Sequence, residues 1–366
     1  MYDRIATILA AAADSLRVVA GQFVAVLRYP LDPGQRVYFI YLLSATGLAA
    51  LVYLRHRRQS DSAPASLASF IGFLLPRKVW SDPSAWLDVR YFFFHQMIRL
   101  LIYGGFLAGS VVLSAELAGN ALGILLGRDL PLRSDFTAGG TLTLLLVMVL
   151  INDFGAFLMH YLQHKSPLLW EFHKVHHSAT VLHPLSNYRE HPVDNLAYAL
   201  VFGLGAGVVS FGWGLAFGYL PEPVLLLGGS VVTFLFNLFG YNLRHSHVWL
   251  SWPGVTAKLF GSPAHHQVHH SCHPDHIDRN FAFIFPIWDV LFGTFCLPGD
   301  DRDVRFGLGT GEEREFRSCL GLYLLPFLKL ARRYGFHRRG AALHSEFKPD
   351  RGTGSCDSQP DIERRR

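Results

Sequence analysis

The chain has 366 residues, of which 50% are hydrophobic and 17% charged, with a formal net charge of +5. Soluble domains usually carry about a quarter charged residues, so the composition argues against an ordinary soluble globule. The basic surplus gathers beside apolar runs, in residues 55–58, at Arg77-Lys78 and from Arg332 onward, a pattern that marks membrane orientation and not a nucleic-acid surface.

In chain order, the first 30 residues mix Arg4, Asp14, Arg17 and Arg28 with apolar residues. That interrupts any signal-peptide pattern and suits an amphipathic interfacial helix or a poorly packed first segment. Apolar runs follow at 37–54, 91–113, 138–159, 196–219 and 224–241, the last two separated by Pro221-Glu222-Pro223. Each approaches the roughly 20 residues that cross a hydrocarbon core. The expected fold is an all-α polytopic membrane bundle of about five spans with a His-rich helical cap. If the basic clusters face the cytoplasm, the third run returns His160 to that face, and the hairpin of the fourth and fifth returns Arg244. The site would then lie on the cytoplasmic face of a multi-pass protein.

Three regions are expected. Residues 1–90 hold the N-terminal segment, the first span and a linker through Ser60 and Pro64. Residues 91–300 form the catalytic domain. Residues 301–366 form a cytoplasmic tail, with an interfacial helix over 320–330 whose Lys329, Arg332 and Arg333 reach anionic headgroups, and disorder from about His344.

Nineteen histidines are present, most of them between His160 and His276. His160 and His164 are four apart and share one helix face, with Asp153 seven residues earlier on that face. His173, His176 and His177 follow at i, i+3 and i+4, a spacing repeated by His266, His269 and His270. His245, just after the fifth run, is a natural ninth member. Neutral imidazole suits iron, zinc, copper or nickel, and two metal ions with four or five ligands each need about this many donors. Carboxylates are scarce, unlike in di-iron bundles built on Glu and Glu-x-x-His. His183, His191, His247, His265, His273 and His276 have no assigned role at this level, and Cys272 is read as a small filler.

These residues carry a resemblance. Residues 153–164, 170–178 (Trp-Glu-Phe-His-Lys-Val-His-His-Ser), 188–192 (Tyr-Arg-Glu-His-Pro), 262–270 (Ser-Pro-Ala-His-His-Gln-Val-His-His), 278–281 (Asp-Arg-Asn-Phe) and 288–294 (Trp-Asp-Val-Leu-Phe-Gly-Thr) look like the fatty acid hydroxylase/sterol desaturase superfamily of membrane di-iron oxygenases. The resemblance runs from about Ile151 to Pro298. It implies two iron ions on the nine histidines, O₂ as co-substrate, and hydroxylation or desaturation of a lipid C–H bond, sterol-like or fatty acyl. It also makes Asp153, Arg189, Asp278 and Asn280 candidates for roles behind the ligands or at the pocket mouth. One departure is Tyr161, where members commonly carry Arg after the first histidine.

No haem, dinucleotide or iron–sulfur motif is visible, so electrons are expected from a separate ferredoxin or cytochrome b5 type donor with its reductase. A membrane zinc hydrolase is the alternative, but it would place a carboxylate base among its ligands, as in H-E-x-x-H, and no cluster here holds one. A metal transporter or other metal-binding protein would want ionisable residues at mid-membrane depth. The spans hold few, with Arg99 the main exception. Neither the individual lipid nor the oligomeric state is legible.

Overall fold

Long apolar stretches bounded by cap residues become helices, and the computed structural model describes residues 2–59, 66–135, 137–222, 230–299 and 304–335. The expected linker, the first part of the 224–241 run and the tail beyond His344 lie outside the described residues.

The helices used below are α1 (Tyr2–Leu27), α2 (Phe39–Gln59), α3 (Leu67–Leu74), α4 (Arg77–Trp80), α5 (Pro83–Ile98), α6 (Gly104–Leu126), α7 (Ala138–Lys165), α8 (Pro167–His177), α9 (Pro192–Phe217), α10 (Ser230–Phe236), α11 (Asn242–Arg244), α12 (Thr256–Leu259), α13 (Pro263–His269), α14 (Ile287–Phe292) and α15 (Cys319–Arg333). Among the described residues, four are long and apolar enough to cross a membrane: α2, α6, α7 and α9. The chain is an integral membrane protein of mostly helical architecture.

The expected span at 91–113 needs correction. Its first half belongs to α5, which buries Asp88, His95 and Gln96. A turn of π-helix, Arg99–Tyr103, follows, and the spanning helix is α6, which reaches Leu126. The apolar run averages across this junction and hides it. Likewise, Lys329 on α15 does not reach outward to headgroups but pairs with Glu312 and Glu315, at 3.0 and 3.1 Å.

α9 packs against both α6 and α7. Small residues allow the close approach: a Cβ on Gly203 would sit 3.0 Å from the Ser110 carbonyl oxygen, and one on Gly155 would meet Val201 at 2.6 Å. At the end of this trio away from the histidines, Leu132–Arg133 and Leu220–Pro221 pair as a short parallel ladder. Ala45 and Ala49 of α2 pack instead with Leu243 and Val248.

The helices that carry the histidines begin on strong caps. Ser166 and Ser262 each bond a backbone N–H of α8 or α13, with proline at the first helical turn, where its missing donor is harmless. α9 starts the same way, with the His191 ring as cap before Pro192.

Candidate metal centre

The two i, i+3, i+4 triplets ride on short capped helices, α8 and α13, while the C-terminal turns of α7 bring His160 and His164. Together with His245, after α11, the nine rings assemble into two groups. His160, His164, His173, His177 and His269 form one, and His176, His245, His266 and His270 the other; within each, the candidate ligand atoms lie within 4.8 Å of one another. Eight of the nine residues are buried and His164 is partly so.

The rings converge through Nε2. His177 Nε2 lies 3.2 Å from that of His164 and 3.1 Å from that of His269, and His266 Nε2 lies 2.9 Å from His245 and 3.0 Å from His270. The outward nitrogens are held by the protein. His160 Nδ1 meets the Phe281 carbonyl at 2.8 Å, His269 the Arg279 carbonyl at 2.8 Å, and His176 the Arg189 carbonyl at 3.2 Å. Ser186 Oγ lies 2.8 Å from His245 Nδ1. Carboxylates stand behind the first group, Asp278 at 3.4 Å from His164 and Asp194 at 3.5 Å from His173. Such partners fix ring orientation and raise ligand basicity. The second group has a cation instead: Arg244 Nη2 lies 3.1 Å from His266 Nδ1.

The protonation state of the rings favours metal binding. Burial lowers His176 to about 4. It also drives His173, His177, His245, His266, His269 and His270 well below the ordinary 6.5, reinforced by neighbouring rings and, at His266, by Arg244. A neutral imidazole is the ligating form. His173 is buried with both ring nitrogens lacking a hydrogen-bond partner, a costly state that a cation at Nε2 would relieve. The residues fit two metal ions on all-imidazole donor sets.

For the metal-free protein the sign of the pH effect follows. His176 is neutral when folded and protonates near 6.5 when unfolded, so its contribution is complete above about 6.5 and is lost as pH falls toward about 4. The midpoint of chemical unfolding should therefore fall across that window; a flat profile would contradict the neutral-cluster assignment.

The four other candidates stand behind the rings, and none lines the adjoining cavity. Asp153 accepts from the Ile284 and Phe285 backbone N–H groups and from Trp288 Nε1, at 2.9, 3.1 and 2.9 Å, tying α7 to the loop before α14. Buried Arg189 binds Asp88, Ser178 and Ser84. Asp278 pairs with Lys165. Asn280 clamps Cys296, accepting from its N–H and donating to its carbonyl, both at 2.8 Å.

Asp278 and Asn280 also have positive φ, 61° and 55°, a conformation that Asn and Asp tolerate best after glycine. These turns aim the Arg279 and Phe281 carbonyls at His269 and His160. Asn280→Ala should loosen both, lowering first-group metal affinity about 10- to 100-fold, as read by competitive chelator titration; unchanged affinity would make the clamp irrelevant to the metal. Tyr161, the departure noted above, packs with Phe281 and Phe292, away from the ring nitrogens.

The unassigned histidines fall outside both groups. His191 and His265 act in helix caps, His183 lies 3.3 Å from Asp88, and His247 bonds the Phe73 carbonyl. His273 caps the turn Pro274–His276 and meets the His276 ring at a tilt of 49°. Cys272 is a free thiol outside the clusters.

A cavity of about 310 Å³ adjoins the rings, touching His160, His173, His176 and His266. Its walls include residues that spacing did not flag. Arg36 and Glu190 pair at 2.7 Å. Burial alone would push the Glu190 carboxyl up, but Arg36 holds it at about 2. Asp194 accepts from Gln163 at 2.8 Å, and Gln163 in turn accepts from Tyr198 at 2.9 Å.

Residues 145–294 match the fatty acid hydroxylase family model. The chain is 32% identical to an alkylglycerol monooxygenase of Danio rerio, over 43% of this chain and 31% of that one. It is 31% identical to the ornithine lipid hydroxylase OlsE of Rhizobium tropici, over 41% of each, and 29% identical to the human cholesterol 25-hydroxylase, over 41% of this chain and 50% of that one. The matches thus span about a third to a half of these relatives' lengths. No solved structure matches the chain. The segment that bears all nine clustered histidines is thus the part of the chain that is similar to the fatty acid hydroxylase family.

Proposed function

We propose that this protein is a di-iron membrane oxygenase that hydroxylates a lipid, its nine clustered histidines being the ligands. The observation that carries the reading is the pair of buried all-imidazole groups, five and four rings, sharing one cavity beside membrane-spanning helices. The relatives named as monooxygenases and hydroxylases favour oxygen insertion over desaturation. The reaction balances as lipid C–H, O₂, two electrons and two protons giving lipid C–OH and water. The electrons would come from a separate ferredoxin or cytochrome b5 type donor at the cytoplasmic face.

The iron centre would supply oxygen activation, the step that protein side chains cannot perform. The chain's part is to hold and shield. Carbonyls 189, 279 and 281 fix ring tautomers, and Asp194 and Asp278 balance metal charge. Asp153, Arg189 and Asn280 act as braces for the loops that carry these groups. Phe202 and Phe283 on the cavity wall exclude water around the carbon to be oxidised.

The test is metal analysis and spectroscopy of the purified protein, with lipid extracts from cells containing or lacking it. Two irons per chain and a lipid heavier by one oxygen are expected. One zinc with no iron, or unchanged lipids, would reject the assignment.

A further inference from the structure

The cavity beside the histidines has five charged residues in its walls, Arg36, Arg99, Glu190, Asp194 and Arg244, more than a plain hydrocarbon chain calls for. Its charges can be accounted for one by one. Both Glu190 carboxylate oxygens are used, one by Arg36 at 2.7 Å and the other by Asn195 at 2.8 Å. Asp194 is taken by Gln163 and faces His173. Arg244 has no carboxylate partner and its Nε is unbonded, but its guanidinium is held by the Phe283 carbonyl at 3.2 Å and His266 Nδ1 at 3.1 Å and lies over the Phe236, Tyr241 and Phe283 rings.

Arg99 remains. It lines the same cavity, half-buried on the π-helical turn that joins α5 to α6. Among the described residues it has no ion pair and no side-chain hydrogen bond. A half-buried cation without a partner is costly, and guanidinium is the group best shaped for a carboxylate or phosphate. At about 310 Å³ the cavity lies at the lower end of small-molecule sites. That is room for a head group and the first few carbons, with the rest of the chain left in the bilayer.

We propose that Arg99 binds the anionic head of the lipid substrate, so that the carbon offered to the metal centre lies within a few bonds of that head. This rests on the oxygenase reading. The probes are palmitate, lysophosphatidic acid and monoacylglycerol, presented to the metal-loaded protein in phosphatidylcholine nanodiscs. Equilibrium binding should favour one or both anionic probes over the neutral one by about tenfold or more, as a charged hydrogen bond does. Which of the two wins separates carboxylate from phosphate recognition.

Arg99→Gln should abolish the preference with metal content unchanged, and Arg99→Lys should retain part of it. In turnover, fragmentation of the product should place the new oxygen on the head-proximal carbons. Equal binding of all three probes by the native protein, or an intact preference in Arg99→Gln, would overturn the proposal. Because binding is read without turnover, a protein that prefers anions yet oxidises nothing would reject only the oxygenase. One that oxidises lipids without the preference would reject only the role of Arg99.

Discussion

His269→Ala is expected to abolish product formation and lower bound metal while the protein still inserts into membranes. His269 Nε2 lies 3.1 Å from His177 Nε2, and its ring is held from behind by the Arg279 carbonyl. Its removal would leave the first group four rings and open a gap on the side facing the second. Loss of an outer partner costs roughly 10- to 100-fold, so loss of a ligand should exceed 100-fold in activity. Iron per chain and lipid product, measured together, decide the matter. Wild-type turnover with His269 absent would remove α13 from the centre.

Arg189→Met should have the largest effect on stability. Arg189 is 1% exposed and the Asp88 side chain 0%, so the substitution strands a buried carboxylate. Breaking such a pair costs on the order of 3–5 kcal/mol. Moreover, the Arg189 carbonyl is the partner of His176, so the damage should reach the second metal as well. Thermal unfolding in detergent should shift down by many degrees, and Asp88→Asn combined with Arg189→Met should recover part of the loss. An unchanged midpoint would contradict the pairing.

The site was unevenly legible in the sequence. The nine clustered histidines could be read because helical periodicity puts i, i+3 and i+4 on one stripe, and the two triplets repeat it. His245 stood alone and was found only from its place after an apolar run. Asp194 could not be read, since its partner Gln163 lies 31 residues away, nor could the pairing of Arg36 with Glu190 across 154 residues; nothing local distinguishes such residues from solvated ones. The boundary at Arg99 was blurred for a different reason. Hydropathy records the mean polarity of a window, and the polar side chains of α5 are satisfied by tertiary contacts, His95 by Tyr323 and Asn195. Lys329 was misplaced for the same cause, its carboxylates lying on a separate loop.

The chain of contacts from Tyr198 through Gln163 and Asp194 to His173 joins α9, α7 and α8. α7 itself carries His160 and His164. The tilt between two membrane-crossing helices is thereby coupled to the positions of three rings in the first group. Bilayers of different hydrocarbon thickness change helix tilt at modest energetic cost. Lipid chain length around this protein should accordingly tune how tightly the first group would hold a metal, making the host membrane a control on the proposed centre as well as the proposed source of substrate.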